Sequence, residues 1–198
     1  MIYSPIEVGL MTTMIQDKLY TADELLKMPD GDRYELVGGK LVERHMGMES
    51  SFVALRIGTK INLFLQQFPI GLAFGADGSY QCFPDAPEKV RKPDVSFIRN
   101  GRLPNDAPPK GHCRIPPDLA VEVLSPNDLA YDVDEKIGEY LAVGIPLIWI
   151  VNPPLRTVRI HRQQASPLGS GAILSSTEMI IGEDVLPGFS CVINEFFG

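Results

Sequence analysis

Six residues near the middle of the chain, Leu119-Ala120-Val121-Glu122-Val123-Leu124, restrict the fold more than any other stretch. Side chains alternate across a strand, so Leu119, Val121 and Val123 share one face and Ala120, Glu122 and Leu124 the other. Both faces are apolar apart from one carboxylate. That pattern belongs to a central strand covered on both sides. An unpaired carboxylate there costs on the order of several kcal/mol unless a cation or a raised pKa compensates. The other placement open to Glu122 is the strand's exposed end, paired with an arginine.

The neighbouring segments supply cover for such a strand. Apolar positions Val53, Ile57, Ile61, Phe64, Leu65 and Phe68 recur at helical spacing and predict a long helix over 50–68; a second is predicted over 129–143. Strands are expected at 70–83, 93–98 and 147–151, with a closing antiparallel pair at 156–162 and 174–181. Thr21-Ala22-Asp23-Glu24 has the form of a capping box at the start of a short helix. Tyr34 to Glu43 reads as a β-hairpin, because Gly38-Gly39 supplies the positive φ of a two-residue turn. The polar, proline-rich stretch 100–117 is expected on the surface. This order gives an α/β fold of the mixed α+β kind, a central mixed sheet flanked by helices. At 198 residues the chain suits one domain, 18–198, preceded by an N-terminal arm over 1–17.

Three charged residues sit against this pattern. Lys136 falls in or beside the stripe of the second helix that carries Leu129, Val133, Tyr140 and Gly144, on the face expected to meet the sheet. A lysine there is either paired or extends its stem to solvent. Asp94 follows Pro93 at a strand start and shares a face with Ser96 and Ile98, although an aspartate after proline is also a common turn residue. Taken together, Asp94, Glu122 and Lys136 describe two oxygen ligands beside an ammonium. That set suits a hard cation, Mg²⁺ or Mn²⁺, rather than zinc.

Composition narrows the options. Eighteen basic against 25 acidic residues leave a net charge of −7, which argues against a surface coated in positive charge for gripping phosphates. It leaves room for one basic cleft or for carboxylates that hold metal. Cys82, Cys113 and Cys191 are few and scattered, so neither a zinc site nor a disulfide framework is expected. No run approaches the roughly 20 apolar residues that span a bilayer, and Met1 to Met14 lack the basic start of a signal peptide. A cytoplasmic protein without membrane attachment is expected. No nucleophile motif surrounds His45, His112 or His161.

Tyr34-Glu35-Leu36-Val37-Gly38-Gly39, Arg91-Lys92-Pro93-Asp94-Val95, Pro117 to Pro126 around Glu122, Glu135-Lys136 and Val185-Leu186-Pro187-Gly188-Phe189 carry a resemblance to a known family. Over 20–196 the chain resembles the PD-(D/E)XK nuclease superfamily, and within it the Uma-type restriction endonuclease family of bacteria. The resemblance implies a restriction endonuclease-like core and metal-dependent hydrolysis of nucleic acid, DNA above all. Asp94 and Glu122 match the two acids. The superfamily usually places its lysine two residues after the second acid, where this chain has Leu124; Lys136 on the next helix matches the lysine of the Uma-type pattern. Glu35 is implied as a further metal-site acid, and Arg91 and Lys92 are candidate contacts to backbone phosphates. A homodimer is expected, since nucleases that cut both strands commonly pair subunits. The alternative is a catalytically silent binding or assembly module that keeps the nuclease fold.

Overall fold

A computed structural model describes residues 18–44, 47–163 and 171–198. The expected arm over 1–17, and His45, lie outside the described residues. The capping box forms as read: the Thr21 hydroxyl accepts from the Glu24 N–H, and the Glu24 carboxylate accepts from the Thr21 N–H at 2.9 Å. It opens α1 (Ala22–Lys27). The hairpin of β1 (Tyr34–Val37) and β2 (Lys40–Glu43) turns on Gly38 at φ 57° and Gly39 at φ 76°, values that glycine adopts without a Cβ penalty. Then follow α2 (Met48–Gln67), β3 (Gly71–Gly75), β4 (Val95–Arg99), β5 (Leu119–Val123), α3 (Ala130–Ala142), β6 (Leu147–Asn152), β7 (Thr157–Arg162) and β8 (Ala172–Leu174). The chain closes with β9 (Met179–Gly182) and β10 (Leu186–Val192).

Six strands make one sheet in the order β3-β4-β5-β6-β7-β8, antiparallel except for the β5–β6 pair. That pair is parallel because α3 returns the chain to the sheet between them. On one face Val121, Val123, Phe97 and Trp149 pack under α2 and the β9–β10 hairpin, with Ile57, Ile61, Phe189 and Phe196 completing the core. On the other, Ala120, Ile98, Ile148 and Ile150 pack against Ile137 and Tyr140 of α3 and against Tyr80, Phe83 and Leu103. β5 is therefore a covered central strand, and the mixed sheet flanked by helices expected from the sequence is present.

Several boundaries differ from expectation. The strand anticipated over 70–83 ends at Gly75, where Gly78 N–H turns back onto the Gly75 carbonyl at 2.9 Å. The stretch 100–117 is not all surface: Leu103, His112 and Cys113 are buried, and Cys113 bonds through its backbone to Ser79 and Gln81. Those bonds satisfy the loop's polar groups while it covers the second core. The single strand expected over 174–181 is two, divided by a turn in which Glu178 caps Ser175; β8 joins the main sheet and β9 pairs with β10. Leu129, placed on the inward stripe of α3, is exposed, and Ile137 is buried in its stead.

Candidate active site

The first turn of α3 lies beyond the carboxyl end of β5, so the strand's last acid and the helix's inward lysine meet. Lys136 Nζ stands 3.2 Å from Glu122 Oε2 and 3.4 Å from Glu35 Oε2. One turn further along α3, the Tyr140 hydroxyl donates to Glu122 Oε1 at 2.6 Å. Asp94 immediately precedes β4, which pairs with β5. Its Oδ2 accepts the Val123 N–H at 2.8 Å, and its Oδ1 accepts from Arg44 at 3.2 Å. Glu35, on β1, is clamped: Oε1 accepts the Lys92 N–H at 2.7 Å, and Oε2 accepts from Arg91 at 3.0 Å. Arg91 in turn donates to Glu139 of α3 at 2.7 Å, and Glu139 also holds Lys89.

All of Glu35, Asp94, Glu122 and Lys136 line one cleft of about 430 Å³. Arg44 and Arg91 line it too, and Glu43, Asp128, Asp132 and Glu135 form acidic parts of its wall. Burial pushes the Glu122 carboxyl up to about 7; Lys136 opposes the shift, and the negative charges of Asp94 and Glu35 add to it. Burial also raises Asp94, against the pull of the Val123 N–H and Arg44. Glu35 is driven the other way: burial resists its charge, but Lys136 and Arg91 hold its pKa below the ordinary carboxylate value. Burial likewise works against the Lys136 ammonium, and Glu122 and Glu35 override it, so the lysine stays charged.

Asp94 and Glu122 are thus neighbouring acids whose charge is only partly balanced, as a divalent cation site requires. Among the described residues, no three His, Cys, Asp or Glu side chains cluster as a ready-made ligand set. Two carboxylates beside an ammonium could hold a hard cation such as Mg²⁺ only together with waters or substrate oxygens. The expected residues divide as follows. Asp94, Glu122 and Lys136 converge, and Glu35 joins them as the partner of Arg91 and Lys136. Arg91 and Lys92 are both buried rather than solvated. Arg91 lines the cleft, engaged by two carboxylates, whereas the Lys92 ammonium turns away and donates to the Gly31 carbonyl at 2.6 Å. Arg44 and Glu139 were given no role in the site from the sequence; Arg44 ends a hairpin, where an exposed arginine is ordinary.

This sheet and its cleft define a restriction endonuclease-like fold. A crystal structure described as a putative nuclease belonging to DUF820, from Anabaena variabilis ATCC 29413, superposes with a TM-score of 0.72 at 23% identity, covering 89% of this chain and 97% of that one. The family profile Uma2, described as "Putative restriction endonuclease", matches residues 22–194, and the chain belongs to that family. No curated protein matches the chain.

Proposed function

We propose that the protein is a metal-dependent endonuclease that hydrolyses phosphodiester bonds of nucleic acid, DNA by preference. The observation that carries this reading is the convergence of Asp94, Glu122 and Lys136, from a loop, a strand and a helix, in one cleft. Asp94 and Glu122 would hold Mg²⁺ or Mn²⁺, which supplies an acidified water and neutralises charge on the phosphate. Lys136 keeps its proton beside Glu122 and is placed to stabilise the growing negative charge of the transition state. Glu35 fixes Lys136 from the opposite side, and Tyr140 fixes the second oxygen of Glu122. Arg44 orients Asp94. Free cysteines at 82, 113 and 191 suit a cytoplasmic enzyme, and no helix among the described residues is long and apolar enough to cross a membrane.

The test is Mn²⁺ titration followed by calorimetry and thermal melting, alongside cleavage of plasmid and oligonucleotide DNA. The wild-type chain should bind the ion, melt at higher temperature in its presence, and cleave only when it is supplied. Asp94→Asn and Glu122→Gln should lose all three responses while remaining folded. Lys136→Ala should keep ion binding and lose cleavage by on the order of 10²-fold or more. A chain that binds Mn²⁺ equally well without Asp94 and Glu122, or binds none and cleaves nothing, is instead a silent module on this fold.

A further inference from the structure

A second cleft, of about 370 Å³, runs between α2 and β3 and reaches Asp94 from the other side. Ala54, Leu55, Gly58 and Asn62 of α2 and Ala73 and Gly75 of β3 form its walls. Among the described residues that line it, Asp94 is the only acidic or basic one. Phosphates are gripped by lysine and arginine, so this lining does not suit nucleic acid.

What it offers is backbone. Among the described strands β3 pairs only with β4, so its other side is an edge. Asn100 N–H donates to the Ile70 carbonyl at 3.0 Å, and Gly71 stands opposite Arg99. Antiparallel ladders alternate, so Leu72 and Phe74 direct their N–H and C=O groups at β4, and Gly71, Ala73 and Gly75 direct theirs outward. The Gly75 carbonyl takes the Gly78 N–H; the outward groups of Gly71 and Ala73 meet no backbone partner among the described residues. Edges are ordinarily blunted by lysine, proline or a bulge. Gly71-Leu72-Ala73-Phe74-Gly75 has none of these, and its register with β4 is unbroken. Beside it Leu55 is 70% exposed, and Met48 and Phe52 continue an exposed apolar stripe along α2.

We propose that the β3 edge and the adjoining flank of α2 form a two-fold interface with a second copy of this chain. A two-fold axis at Ala73 sets Ala73 against Ala73 of the second copy as a hydrogen-bonded pair. It sets Gly71 against Gly75, whose N–H is turned outward while its carbonyl already takes the Gly78 N–H. A patch that pairs with itself is what an isologous dimer needs. The axis also brings the two α2 helices together on one face of the continued sheet, with the exposed Leu55 of each on the approaching flank. Charge points the same way. Each copy carries −7, so two copies repel except where a surface is neutral, as this one is outside Asp94. Because Asp94 lines the interface cleft, the two candidate active sites flank the joint.

Sedimentation of the full chain at micromolar concentration tests this without reference to catalysis. The wild type should sediment as a dimer. Ala73→Pro removes an outward N–H that β4 does not use, and Leu55→Glu charges the flank; each should halve the mass with the circular dichroism spectrum unchanged. Leu155→Glu, an exposed position outside the cleft, should leave the dimer intact. Ala73→Cys should cross-link on addition of diamide, two thiols giving one disulfide and reduced diamide, because facing Cα atoms of such a pair lie about 5.5 Å apart. The wild type, with its cysteines elsewhere, should not. A monomeric wild type overturns the proposal, as does a dimer that survives both Ala73→Pro and Leu55→Glu. A monomer that loses DNA binding on Leu55→Glu would give the cleft to nucleic acid instead.

Discussion

Glu122 is subject to two opposed influences: burial among like charges favours its proton, and the Lys136 ammonium favours its removal. Burial prevails, and the group's pKa rises to about 7 from its ordinary 4.5. Between those values the folded chain holds a proton that the unfolded chain releases, so stability falls as pH rises through this window. Glu122→Gln should remove that slope. Urea denaturation should find the variant more stable than wild type at pH 8 by about 3 kcal/mol, with the gap closing toward pH 5. An equal gap at both pH values would place the cause elsewhere. Glu122 and Lys136 were legible in the sequence because each broke a local pattern, an acid in an apolar strand and an amine on an inward face; Asp94, an ordinary turn residue after proline, was legible only beside them and through the family resemblance. Arg44 broke none. Its role depends on the hairpin being laid against the stretch 90–94 that leads into β4, which nothing near Arg44 encodes. Arg91 and Lys92 read together as contacts to backbone phosphates, but successive side chains of an extended segment point opposite ways. One enters the site and the other goes beneath the hairpin.

Elements with their own local signals formed where the sequence put them. The capping box of α1, the Gly38-Gly39 turn and the period of α2 each rest on contacts within a few residues. Thr21→Ala should cost about 1 kcal/mol through loss of the cap, read as a lower urea midpoint with an unchanged slope. An unchanged midpoint would mean that α1 is held by Leu25 and Ala22 packed against Leu36 and Val90 and by the bonds of the Ala22 backbone to Glu88 and His112. The C-terminal hairpin was not legible. β10 contains Pro187 and Gly188, residues that argue against a strand. They are accommodated by an irregular register between Leu186 and Ser190, where Gly188 takes φ 91°. β9 was merged with β8 because nothing apolar or glycine-rich marks the turn between them; the break is made by Glu178 bonding back to Ser175.

For the molecule as a whole, the order of elements was enough to specify a mixed sheet between helices, and the pairing of distant strands was not. The site depends on that pairing, since the pocket joins Glu35, Asp94 and the β5–α3 unit from well-separated stretches of chain. Its ammonium rides on α3 rather than on β5. In the proposed reaction position 124, two residues beyond Glu122 and on the same side of the strand, has no chemical part, and Leu124 packs against the second core while lining the cleft. Leu124→Lys introduced into Lys136→Met should restore part of the lost cleavage. No recovery would show that the helix fixes a direction of approach that the strand cannot reproduce. A lysine free to migrate between elements also blinds any motif scan that demands acid and lysine two places apart. Such a chain escapes the short motif, and it is the pattern of the whole family over residues 22–194 that finds it.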